Sequence, residues 1–95
     1  MNIAWPPEAI KDLVSLRAYI SEDNPAAARR GVLDIIQNVE QLLPDNTDTG
    51  RAGRVPGTRE FFIAKTPYIV PYRFQRTTLQ ILRVYHGARR WPDRF

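Results

Sequence analysis

Pro7 and Pro25 each open a stretch in which apolar residues recur every three or four positions, and this pair of stripes constrains the fold more than any other feature of the chain. Proline is tolerated in the first turn of a helix, where its missing N–H has no intrahelical acceptor to lose. Ala9, Ile10, Leu13, Val14, Leu16 and Ile20 form the first stripe, with Glu8 placed to complement the helix dipole, so the spacing predicts a helix over 7–21. Asn24 before Pro25 reads as an N-cap followed by a first-turn proline. Ala28, Val32, Ile35, Ile36, Val39, Leu42 and Leu43 then mark a longer second helix, which Pro44 ends. Helices joined by so few residues are expected to lie antiparallel as a hairpin.

The second half changes period. Residues 44–58, P-D-N-T-D-T-G-R-A-G-R-V-P-G-T, have no periodicity and read as a long loop. Strands are expected over 59–65, 68–74 and 79–86, with connections short enough for hairpins, and a brief strand over 2–5 is stopped by Pro6 and Pro7. Pro71 lies inside the second of these, where a missing N–H would break a central ladder, so a bulge or a sheet edge is expected there. The resulting fold class is α+β, in the order β-α-α-β-β-β, with the helix hairpin on one face of a mainly antiparallel sheet and the other face open.

With 95 residues the chain is one domain, 1–95, and it buries roughly 60–65% of its unfolded surface, which leaves little to enclose a deep pocket. Function is therefore expected on a surface or in a shallow groove. The absence of cysteine excludes a disulfide scaffold, a thiolate zinc site and a cysteine nucleophile. One histidine among scattered carboxylates gives no metal-ligand spacing, and no cofactor is expected. No stretch has the length of a membrane span, so a soluble cytoplasmic protein is expected. Residues 1–48 carry four basic and eight acidic side chains, whereas residues 49–95 carry ten basic, nine of them arginine, against Glu60 and Asp93. An arginine-rich second half should face an anionic partner, because the guanidinium is permanently charged and forks onto carboxylate or phosphate.

Three segments, G-R-V-P-G-T-R-E (53–60), T-P-Y-I-V-P-Y-R (66–73) and I-L-R-V-Y-H-G-A-R-R-W-P (81–92), set in this order of elements, resemble the RelE/ParE superfamily of bacterial toxins over essentially the whole chain. The resemblance implies the toxin of a type II toxin–antitoxin (plasmid stabilisation) system, neutralised by a cognate antitoxin. Within the superfamily, ParE-like members poison DNA gyrase and RelE-like members cut messenger RNA on the ribosome. The ParE-like branch is expected here, with a ParD-like, acidic, partly disordered antitoxin.

Each branch draws on different residues. RNA cleavage needs groups that move protons and stabilise a pentavalent phosphate, for which Arg73, His86 and Glu60 are the candidates, from three adjacent strands. His86 equally fits a hydrogen-bonding role at a strand end. The tail places Arg89, Arg90 and Trp91 together, and arginine and tryptophan dominate binding hot spots, so these three are expected to touch the target. In gyrase-poisoning relatives this region resembles part of the inhibitory surface. Trp91 folding back on the protein's own core is the competing expectation. Arg59, Arg73 and Arg83 are expected on the face turned to the antitoxin or another anionic partner. A plain nucleic-acid-binding module, with aromatic residues such as Tyr72, Phe74 and Tyr85 stacking on bases, is a third reading.

Overall fold

Asn24 and Pro25 begin the second helix as their order predicts: the Asn24 side chain accepts a hydrogen bond from Ala27 N at 3.1 Å, and Pro25 takes the first helical position. In the computed structural model, which describes residues 2–21, 24–42, 51–87, 91, 92, 94 and 95, the elements follow as β1 (Asn2–Ala4), α1 (Pro7–Ser21), α2 (Pro25–Gln37), β2 (Arg51–Ala52), β3 (Arg59–Phe62), β4 (Tyr68–Gln75), β5 (Thr78–Ile81) and β6 (Tyr85–His86). The first helix has the bounds its periodicity predicts. The second leaves regular α geometry at Asn38 and widens into a π-helical turn, Asn38–Leu42. There the Asn38 side chain donates to Asp34 O at 2.7 Å, competing for the carbonyl that its own backbone N–H also shares with Ile35 O. The expected stop at Pro44 lies outside the described residues.

The sheet runs β1-β5-β4-β3-β2, and β6 continues beyond β5 along the same side of β4. All pairings are antiparallel except β1 with β5, which is parallel, so the expected meander is joined at its edge by the first strand of the chain. The expected loop also contributes β2, which pairs Arg51 with Glu60.

Pro71 sits in the central strand, and its constraint appears as a bulge in the strand opposite. The ladder places Tyr72 against Ile81 and Ile69 against Tyr85, so Val70 and Pro71 face three residues, Leu82, Arg83 and Val84. Pro71 O accepts from Leu82 N at 2.9 Å, while its nitrogen has nothing to donate on that side. Arg83 is the extra residue.

Alternation sorts the strand residues between two faces. Val70, Tyr72, Phe61, Leu79, Ile81 and Val84 turn toward the hairpin and meet Ala9, Leu13 and Leu16 of α1 with Ile35 of α2 and Val39. Glu60, Ile69, Pro71, Leu82 and Tyr85, all buried, turn the other way. That second face is not fully open. Trp91 packs edge-on against Tyr85 at 5.2 Å between ring centroids, and Phe95 lies 6.2 Å from the same ring.

The turn joining β2 to β3 depends on a close approach at Gly53, whose N–H donates to Thr58 O at 2.8 Å. A Cβ at this position would collide with Thr58 Oγ1 and stand 2.7 Å from Thr58 O. Gly57 has φ +80 but open space around it. Gly53→Ala should therefore cost roughly 2–3 kcal/mol through the collision, against about 1 kcal/mol of left-handed strain for Gly57→Ala. Urea unfolding of the two variants checks this, and equal losses would contradict the close approach.

Candidate functional site

Asp12 of α1 reaches across to the bulge. Its Oδ2 accepts from Arg83 Nε at 2.7 Å and from Val84 N at 2.9 Å, and its Oδ1 accepts from Arg83 Nη2 at 2.8 Å. The Asp12 side chain is only 10% exposed and that of Arg83 24%. The hydrogen bond to Asp12 holds the Arg83 guanidinium above its ordinary range, so it is a permanent cation lying 4.8 Å over the Tyr85 ring. Arg83 thus departs from the partner-facing surface expected of it with Arg59 and Arg73, and ties the helix layer to the sheet.

Glu60 is fully buried on the second face and organises the turn before it. Its Oε2 accepts from Arg54 N at 2.7 Å and lies 3.4 Å from Arg54 Nε, while Oε1 lies 3.4 Å from Arg51 Nη2. Arg51 also covers Phe62 at 4.5 Å, and Arg54 covers Trp91 at 4.1 Å. The N–H groups of Gly53, Arg54 and Thr58 are occupied by Thr58 O, Glu60 and Val55 O. The glycine-rich turn therefore has these donors committed internally instead of cradling a phosphate.

Beside this cluster, a groove of about 730 Å³ crosses the second face. Leu82 and Tyr85 contribute from the sheet, Trp91, Pro92, Arg94 and Phe95 from the C-terminal segment, and Arg73 with Gln80 from β4 and β5. Arg73 Nε donates to Gln80 Oε1 at 2.8 Å. The Nε1 of Trp91 is buried and has no hydrogen-bond partner among the described residues.

The structure brings some of the singled-out residues together and separates others. Arg73 and Glu60 share the second face, by pairing with Gln80 and Pro71. His86 pairs with Tyr68 on the hairpin face, and their rings meet edge-on at 5.8 Å. Arg59 pairs with the core residue Tyr72, and so belongs to the hairpin face as well. Arg73, Arg83 and Arg59 consequently occupy the second face, the bulge and the hairpin face. Trp91 joins the tail to Tyr85 and Arg54, whereas Arg89 and Arg90 lie outside the described residues.

A further groove, which no local pattern in the sequence marks, lies between α1 and the start of β4 and is lined by Tyr19, Tyr68 and His86. Burial pushes the Tyr68 hydroxyl above its usual value, and neighbouring Tyr19 adds to the shift, so Tyr68 stays protonated. The run T-P-Y held Tyr68 in plain view, but its partners come from a helix and a strand remote in the chain. Among the described residues, no helix is long and apolar enough to cross a membrane.

A helix hairpin on a six-stranded, mostly antiparallel sheet defines a protein of the α+β class. The profile described as "ParE toxin of type II toxin-antitoxin system, parDE" matches residues 3–91, and the chain belongs to that family. It is similar to the putative toxin Y4kP of Sinorhizobium fredii, at 41% identity over 92 residues, covering 97% of this chain and 94% of the relative. Toxin RelE2 of Caulobacter vibrioides is 28% identical over 88 residues, covering 93% and 97%. Among solved structures, a chain of the "Chromosomal ParDE TA system from P. aeruginosa" superposes with a TM-score of 0.79 at 30% identity, covering 90% of this chain and 95% of that one. The protein is a type II toxin–antitoxin toxin.

The Asp12 carboxylate should be a principal tie between its layers. Asp12→Ala leaves a mostly buried guanidinium and the Val84 N–H unpaired, and is expected to cost about 2–4 kcal/mol in chemical denaturation. Replacing both partners by apolar residues, Asp12→Leu with Arg83→Met, should restore part of that loss. A cost below about 0.5 kcal/mol for Asp12→Ala would reduce the contact to an ordinary surface ion pair.

Proposed function

We propose that this toxin arrests growth by binding DNA gyrase and blocking replication, without bond chemistry of its own. The observation that carries this reading is the separation of the groups RNA cleavage would draw on. His86 is on the hairpin face, while Arg73 and Glu60 are on the other. Glu60 has both oxygens engaged by Arg51 and Arg54 and no exposed surface, which suits a structural anchor and not a proton carrier. Membership of the ParE family agrees with this branch.

Arg89, Arg90 and Trp91 are the proposed contacts to the target. Trp91 meets Tyr85 edge-on and has the Arg54 guanidinium over its ring, which supports it as an aromatic anchor of the kind hot spots use. A cognate antitoxin of the ParD-like kind, acidic and partly disordered, is the proposed neutralising partner, gaining charge compensation over the arginine-rich half and apolar contact elsewhere.

Purified toxin should inhibit supercoiling by gyrase or trap it on cleaved DNA, and expression of the toxin alone should induce the DNA-damage response while bulk messenger RNA stays intact. Codon-phased cuts in translated messages would instead select the ribosome-dependent nuclease. A simple nucleic-acid-binding module should give neither result, and its affinity would fall linearly on a log–log salt plot. The double variant Arg89→Ala with Arg90→Ala should lose roughly tenfold or more in gyrase inhibition with an unchanged melting temperature. Full inhibition by that variant would remove the tail from the target surface.

A further inference from the structure

The glycine-rich turn between β2 and β3 has no part in the proposed function, yet its interactions converge on one side chain. Gly53 closes the turn against Thr58, and the buried Glu60 accepts from Arg54 N at 2.7 Å through Oε2. The same oxygen lies 3.4 Å from Arg54 Nε, so the backbone and the side chain of Arg54 are both held from within the fold. The guanidinium carbon then stands 4.1 Å from the centroid of the Trp91 ring. Arg51, the other cation on Glu60, is turned elsewhere and covers Phe62.

Trp91 also meets Tyr85 edge-on at 5.2 Å and Phe95 at 6.5 Å between centroids. Its buried indole N–H has no hydrogen-bond partner among the described residues. Burying a donor in this way opposes docking of the ring, so the ring contacts and the cation above it have to outweigh that cost. Arg54 is well placed to do so, because Glu60 already fixes its guanidinium and little side-chain freedom is lost when the indole packs beneath it. On the near side of the tail, Gly87 N donates to Pro67 O at 2.8 Å, and a Cβ on Gly87 would stand 3.3 Å from Ile69 Cδ1. Arg89 and Arg90 fall between these two anchors, Gly87 and Trp91, in the chain.

We propose that Arg54 is a positioning residue for target recognition: held by Glu60, it keeps the Trp91 indole on the second sheet face and thereby sets how the tail is presented. The inference rests on the reading that the tail touches the target, and it does not depend on that target being gyrase. It gives the turn a function, since closure at Gly53 and Thr58 aims Arg54 at the tail.

The test compares Arg54→Ala, Arg54→Lys and Arg51→Ala in the full chain, each in a Trp5→Phe background where Trp91 is the sole tryptophan. Arg51→Ala is the control, because it removes a cation at the same 3.4 Å distance from Glu60 and leaves the Arg54 contact with Trp91 in place. Tryptophan emission with acrylamide quenching reads the indole, growth arrest on expression of the toxin alone reads recognition whatever the target, and the melting temperature reads stability. Arg54→Ala should shift the emission to the red, raise the quenching constant roughly twofold or more and weaken growth arrest roughly tenfold or more. Arg54→Lys, which keeps a cation over the ring, should recover most of both effects, and Arg51→Ala should stay within about twofold of the parent. Should Arg54→Ala fail to fold, Arg54→Gln, which keeps the length and loses the charge, takes its place. Unshifted emission, full growth arrest by the variant lacking the Arg54 cation, or an equal effect of Arg51→Ala overturns the inference. A supercoiling assay on the parent separates the two readings: growth arrest without gyrase inhibition removes gyrase as the target, while Arg54 is judged by the same emission and growth comparison.

Discussion

Asp12 holds Arg83 and Val84 by three hydrogen bonds, and the disposition of the second sheet face is tied to that contact. Two-residue periodicity carried on from Leu79 and Ile81 would send position 83, and then Tyr85, toward the helices. The extra residue at Arg83 resets the alternation, so Val84 enters the core and Tyr85 turns to the opposite face, where Trp91 and Phe95 settle on it. The bulge exists opposite Pro71, where the central strand has no N–H to offer, and Asp12 satisfies the freed Val84 N–H and the displaced guanidinium together. A carboxylate 10% exposed carries a desolvation cost that a lone ion pair would scarcely offset, and the bidentate geometry with a third donor is what makes it favourable.

Charge follows a similar logic. The chain divides into an acidic first half and a basic second half, yet the folded molecule does not keep them apart. Asp12 comes from the acidic half to neutralise Arg83, and Glu60, one of two acids in the basic half, holds both Arg51 and Arg54. Three arginines of the apparent cationic platform are thereby committed to architecture. Around the groove, Arg73 and Arg94 remain as cations with unfilled capacity, a narrower surface than the linear count of charges implies.

Elements governed by neighbours close in the chain were legible in the sequence. The bounds of α1, the Asn24 cap and the need for a bulge near Pro71 all follow from local geometry and a missing donor. Two features escaped because nonlocal partners or a local competition decide them. β1 was readable as a short strand, but its parallel pairing with β5, Asn2 against Thr78, was not, and neither was the widening at Asn38, where the side chain competes with its own backbone for Asp34 O. Of the candidate site, residue types were readable but their grouping was not. Arg73, His86 and Glu60 come from neighbouring strands, and only strand parity, shifted by the bulge, decides that His86 faces away from the other two.

The amino-acid sequence by itself determined the secondary-structure order, the amphipathic helix pair, the proline that interrupts the ladder and the toxin family, since each depends on spacing or on chemistry carried by single residues. Only the tertiary structure decided which arginines are free to recognise a partner and which are internal ties. That choice turns on contacts such as Asp12 with Arg83, 71 residues apart, whose geometry no local pattern encodes.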